Sequence, residues 1–151
     1  MPTLLDQLQE LPASWGLVAV DGAKRPYQPG WQAKPLTKDQ AAAEIAAGRA
    51  KAIGVIAGPV SDGLLFLDHD GISASEQLEK LGIPPRTIPR TAVCTSGRDG
   101  RFQALFTVPQ HYWPRMRNRR VFDTGQVDAD GKAENLDLRW NRHQSVVIGA
   151  H

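Results

Sequence analysis

A mixed α+β domain is what this sequence predicts, and three observations lead there. Short apolar runs bounded by glycine and proline recur along the chain, while stretches with helical spacing are few and brief. Strand-like runs follow one another with only turns or loops between them, at 52–56 and 64–67, at 91–94 and 102–108, and at 136–140 and 145–148. No regular strand–helix–strand series runs through the chain, so a mixed or antiparallel sheet with flanking helices is expected. The 151 residues suit one domain with a real core.

Each element has its own signal. Leu4, Leu5, Leu8 and Leu11 recur at helical spacing and open the chain with a short amphipathic helix. Trp15 to Val20 reads as the first strand, closed by the turn Asp21-Gly22; residues 24–35 form a loop rich in proline and glycine around Trp31. Thr37 caps an alanine-rich helix, Gln40 completes the capping box, and Gly48 ends it. Two strands, Ala52 to Ile56 and Leu64 to Leu67, are joined by a turn through Gly58-Pro59 and Ser61-Asp62-Gly63. A helix from about Ala74 to Leu81 precedes a proline-broken loop. Thr91–Cys94 and Phe102–Val108 flank the loop 95–101 as a strand pair, and an arginine-rich stretch without period fills 111–120. Leu136–Trp140 and Ser145–Ile148 are the last strands.

Composition narrows the class modestly. Apolar content of 41% and charged content of 23% match ordinary globular proteins. A net charge of +2 does not by itself call for nucleic acid. The single Cys94 excludes an internal disulfide and a cysteine-rich zinc site, and fits a reducing cytoplasm. No apolar stretch nears the length of a membrane span, and no signal-peptide pattern opens the chain, so no membrane partner is expected.

The most informative segment is Leu64-Leu65-Phe66-Leu67-Asp68-His69-Asp70-Gly71. Strand alternation puts Asp68 and Asp70 on one face and His69 on the other. Two like charges at the end of a buried strand call for a cation between them, and oxygen-only ligands favour Mg²⁺ or Mn²⁺. For Asp-x-Asp taken alone, a strand running out into an acidic surface turn is the favoured reading. His69 is expected to pack within the sheet.

Three more features carry chemistry. The loop Thr95-Ser96-Gly97-Arg98-Asp99-Gly100-Arg101, with Gln103 after it, has the glycines, hydroxyl and charge to cradle phosphates, or is a glycine-rich hairpin that is basic by chance. Arg101 and Gln103 share a strand face. Asp137 and Arg139 also share one, as a sheet ion pair or, if their strand neighbours that of Asp68, as a third carboxylate and a phosphate ligand. Arg115, Arg117, Arg119 and Arg120, interleaved with Tyr112 and Trp113, suit either a solvated basic loop or a phosphate backbone with stacked bases. Trp15, Trp31 and Trp140 read as core, Cys94 as a small buried hydrophobe, and His111 and His143 as surface groups.

In order along the chain, these residues resemble the N-terminal catalytic domain of the bifunctional DNA primase/polymerase family, within the archaeo-eukaryotic primase superfamily. Trp15 to Val20, Lys24-Arg25-Pro26 and Trp31 are similar to its opening pattern. Ile53 to Gly58 leads into Leu67-Asp68-His69-Asp70, similar to its first metal motif. Thr95-Ser96-Gly97 with Gln103 to Phe106 resembles the second motif, and Leu136 to Arg139, Ser145 to Ile148 and His151 the third.

The resemblance implies a sheet core of archaeo-eukaryotic primase type over 1–151. It implies nucleotidyl transfer on a single-stranded DNA template, with ribo- or deoxyribonucleoside triphosphates as substrates and Mg²⁺ or Mn²⁺ as cofactor. Asp68, Asp70 and Asp137 match the metal-binding carboxylates. Ser96 and Gly97 match the phosphate loop, and Arg101, Gln103 and Arg139 fall where phosphates are positioned. Lys24, Arg25 and the arginines Arg115, Arg117, Arg119 and Arg120 would face the template. The sequence departs from the pattern at Gln103, where the family usually has histidine; glutamine can donate a hydrogen bond but carries no charge. Related domains usually continue past this length, so 1–151 is expected to be the first part of a longer replication protein, with a helicase further on or in trans. A binding module without turnover and a metal-dependent nuclease are the rival readings.

Overall fold

The computed structural model describes residues 1–149 and is an α+β arrangement in which two antiparallel sheets carry a few flanking helices. The three-stranded sheet has the order β1 (Leu17–Val20), β2 (Ala52–Ile56), β8 (Gln144–Gly149). The five-stranded sheet has the order β4 (Val93–Thr95), β5 (Arg101–Thr107), β3 (Leu64–Asp70), β7 (Ala133–Arg139), β6 (Arg119–Val127). Three helices complete it: α1 (Leu4–Glu10), α2 (Lys38–Ala46) and α3 (Ser73–Lys80). Among the described residues no helix is long and apolar enough to cross a membrane.

Local chemistry explains the helices. Thr37 and Gln40 form the expected reciprocal capping box on α2, and Thr3 with Asp6 forms one on α1 that apolar spacing alone does not reveal. β1 and β2 are buried along their whole length, as continuous apolar runs predict. One cluster joins the sheets: Leu17, Ala19, Ile53 and Val55 pack with Leu8 and Ala41 of the helices and with Phe66 and Leu105 of the larger sheet. A second cluster, Leu67, Ala104 and Leu136 against Ala74 and Leu78 of α3, covers the far face of the larger sheet.

Several boundaries differ from expectation. β3 runs through Asp70, so the two carboxylates are part of the strand and have sheet neighbours on both sides. Residues 52–56 and 64–67 are consecutive in sequence but lie in different sheets, as do β7 and β8. The stretch after Asn118 forms β6, an edge strand that the sequence does not announce. Most of its side chains are exposed, so it lacks the apolar alternation that marks a half-buried strand. Trp140 is buried as expected, whereas Trp15 and Trp31 are only partly buried and Cys94 is half-buried.

Candidate active site

Register assembles the site. Asp68 on the central strand β3 stands opposite Gln103 of β5 on one side and Asp137 of β7 on the other. One row further, Asp70 stands opposite Arg101 and Asn135. Directly paired residues in antiparallel strands share a face, so Asp68, Asp70, Arg101, Gln103, Asp137 and Arg139 all emerge from one side of the sheet. They do so where the apolar packing between the sheets stops. A cleft of about 640 Å³ opens there, lined by Asp68, Asp70 and Gln103 of the larger sheet and by Ser145 and Val146 of β8.

Guanidinium groups compensate each carboxylate. Arg139 donates from Nη2 to Asp68 Oδ2 at 3.0 Å and from Nε to Asp137 Oδ2 at 2.9 Å. Its Nη1 reaches Ser145 Oγ at 3.3 Å and so ties the two sheets together beside the cleft. Arg119 grips Asp137 from β6, with Nη2 to Oδ2 at 2.7 Å and Nε to Oδ1 at 3.1 Å. Arg101 lies between two carboxylates, bonding Asp70 through Nη1 and Asp128 through Nη2 at 2.8 Å.

These surroundings push the two facing carboxylates apart. Burial raises the Asp68 pKa above the ordinary aspartate value; Arg139 opposes this, and the Asp137 carboxylate adds to it. Burial also works against the Asp137 anion, but hydrogen bonds from Arg119 and Arg139 outweigh it and hold that carboxyl below the ordinary value. His143, in the turn after β7, has its pKa lowered by burial and by the charges of Arg119 and Arg139.

Opposite the charged face, the strand is locked in place. His69 is buried, stacks on Phe102 with ring centroids 4.5 Å apart, and bonds the Gly100 carbonyl through Nδ1 at 2.7 Å and Ser75 Oγ through Nε2 at 2.8 Å. Gly71, at φ +116°, leaves no room for a side chain, because a Cβ there would stand 2.3 Å from the Glu134 side chain. Glu134 in turn accepts from the backbone N–H of Ser73 at 2.8 Å and so fixes the start of α3.

The other expected site residues divide. Ser96 lines the cleft, while Gly97 lies in the same exposed loop with its N–H bonded to Thr95 Oγ1 at 3.0 Å. Lys24 lines the cleft from the loop after β1, and its neighbour Arg25 is exposed and pairs with Asp21 at 3.3 Å. Arg115, Arg117 and Arg120 are exposed, with Arg120 lying over the Phe122 ring at 5.1 Å. Arg119 is drawn into the carboxylate network. Arg101 is only 7% exposed, and with Gln103, which shares its strand face, it lines the cleft. His151 lies outside the described residues. Asp128 is the functional neighbour that sequence reading missed; its only signal is the turn Asp128-Ala129-Asp130-Gly131, which does not reveal that Arg101 is its partner.

Asp68 and Asp70 offer the oxygen donors that a hard divalent cation prefers, and both open onto the cleft. Asp137 is 1% exposed, and both its oxygens are occupied by guanidiniums. Among the described residues no three His, Cys, Asp or Glu side chains converge on one point. Asp68 and Asp70 thus present oxygen donors at the cleft, each paired with a guanidinium, with Asp137 behind them in the same ion-pair network.

Fold and site together define a class: an α+β domain whose central antiparallel strand presents paired carboxylates to a polar cleft rimmed by basic loops. The family model for the N-terminal domain of bifunctional DNA primase/polymerases matches residues 8–151, and the chain belongs to that family. Membership carries DNA primase/polymerase activity in general terms, with DNA and nucleotides as substrates. No curated protein matches the sequence.

Proposed function

We propose that this domain performs template-directed nucleotidyl transfer on single-stranded DNA, adding nucleotides to a 3′-hydroxyl with release of pyrophosphate. The observation that carries this reading is the register of β3: it sets Asp68 between Gln103 and Asp137, with Asp70 one row on, both aspartates lining a cleft. Family membership supports it. Asp68 and Asp70 are the residues that would hold Mg²⁺ or Mn²⁺, and Asp137, opposite Asp68, is the third carboxylate of the set. When bound, such ions lower the pKa of an attacking hydroxyl and neutralise charge on the leaving phosphates.

The side chains around them position and stabilise. Arg139 spans Asp68 and Asp137 and also borders the cleft, so it can exchange a carboxylate for a phosphate oxygen. Gln103 offers an amide donor beside Asp68, and Ser96 a hydroxyl. In phosphoryl chemistry, alignment and charge stabilisation of this kind supply most of the rate. The exposed arginines at 115, 117 and 120 supply a basic surface for a template strand.

Incubating the protein with single-stranded DNA, both nucleotide pools and Mn²⁺ or Mg²⁺, with and without a labelled primer, tests the reading. Products longer than the primer are expected, and products without a primer would establish priming. Shortened strands would replace this reading with a nuclease, and absence of any product would leave a binding module, the reading that glutamine at 103 favours.

A further inference from the structure

Two arginines of the cleft are already engaged by carboxylates: Arg139 by Asp68 and Asp137, Arg101 by Asp70 and Asp128. Three other cations line the same cleft from three separate loops: Lys24 after β1, Arg98 between β4 and β5, and Lys132 in the β6–β7 hairpin. All three are exposed, and none forms a salt bridge among the described residues.

Lys132 is the most firmly placed of them. Asp128 Oδ1 accepts the N–H groups of Asp130 and Lys132, each at 2.9 Å, and the Asp128 N–H donates to the Lys132 carbonyl at 2.9 Å. The other oxygen of Asp128 takes the Arg101 guanidinium, which also reaches the Ala133 carbonyl at 3.4 Å. Arg101 thereby clamps the hairpin tip onto β3 at Asp70. The clamp fixes the backbone of Lys132 at the rim and leaves its ammonium free to face the cleft.

We infer that Lys132 is a phosphate-binding residue for the incoming nucleoside triphosphate, with Arg98 and Lys24 as flanking cations, and that Arg101 is a positioning residue which holds the hairpin there. The inference rests on the nucleotidyl-transfer reading for the identity of its ligand. A polyphosphate chain carries several negative charges in a short length, and two ammonium groups and a guanidinium on separate loops can meet it from three sides. The arrangement also supplies the positive charge that Gln103 cannot.

Binding of a fluorescent nucleoside triphosphate and of inorganic tripolyphosphate, measured on wild type, Lys132→Glu and Lys132→Arg, tests this, alongside nucleotide KM and kcat. Lys132→Glu is expected to weaken both ligands about tenfold or more, as a charge-assisted contact turns repulsive. It should raise KM with kcat near wild type and leave melting temperature and single-stranded DNA affinity unchanged, while Lys132→Arg restores binding. Unchanged triphosphate and tripolyphosphate binding in Lys132→Glu overturns the inference. So does a loss confined to DNA affinity, which would place Lys132 on the template strand. If the wild type synthesises nothing yet Lys132→Glu still loses tripolyphosphate, the polyphosphate site stands and the polymerase reading falls.

Discussion

The two faces of the five-stranded sheet differ as much as any two regions of this molecule. One face carries Asp68, Asp70, Asp137 and the arginines that neutralise them; the other carries Leu67, His69 and Leu136 packed with Phe102 and α3. Single-residue alternation along β3 and β7 generates both. Costly charge can therefore be concentrated on one side while the same backbone is anchored from behind. Changes behind the sheet should act on stability, and changes at the cleft on chemistry.

The largest stability effect is expected on the apolar face. Leu136→Ala removes a fully buried side chain beneath α3 and should cost about 3 kcal/mol in denaturant unfolding. The fraction that stays folded should keep its activity per molecule. On the charged face, Asp137→Asn leaves Arg119 without its anion and Arg139 with Asp68 alone; a loss of about 2 kcal/mol is expected, below that of a fully buried pair because Arg119 is half-exposed. Synthesis should fall too, which makes Asp137 the residue where the two roles meet.

A smaller effect is expected at Glu134, whose pKa is held below the ordinary glutamate value by hydrogen bonds from the Ser73 side chain and backbone. A depressed carboxyl pKa contributes stability above the unfolded-state value and loses it as pH falls through the folded-state value. Glu134→Gln should melt below wild type at neutral pH, and the gap should close on acidification. A gap that stays constant with pH would show that Glu134 acts through packing alone. Least of all, Arg120→Ala should cost about 0.5 kcal/mol from its contact with the Phe122 ring and reduce the salt dependence of DNA binding.

How much of this was legible depends on whether the signal was local. The α2 capping box, the buried runs of β1 and β2 and the shared face of Asp68 and Asp70 are set by near neighbours, and the structure shows them where periodicity puts them. That Asp137 faces Asp68 was only a conditional expectation, because strand order is tertiary information. β6 left no pattern, since an exposed edge strand buries too little to alternate. The Arg101–Asp128 pair joins residues 27 apart across a hairpin, and no spacing rule predicts it. The charged face was thus readable in its residue types but not in its pairing.

Run-off synthesis on a primed template of defined length, with Asp68→Asn beside wild type and both melting curves recorded, tests the central claim most directly. Burial disfavours the Asp68 anion, so neutralising it should leave the melting temperature at or above that of wild type. The account predicts wild-type products ending at the template's end and none from the folded Asp68→Asn protein. Continued extension by Asp68→Asn would contradict it, and loss of synthesis only through unfolding would return Asp68 to the role of a structural ion pair.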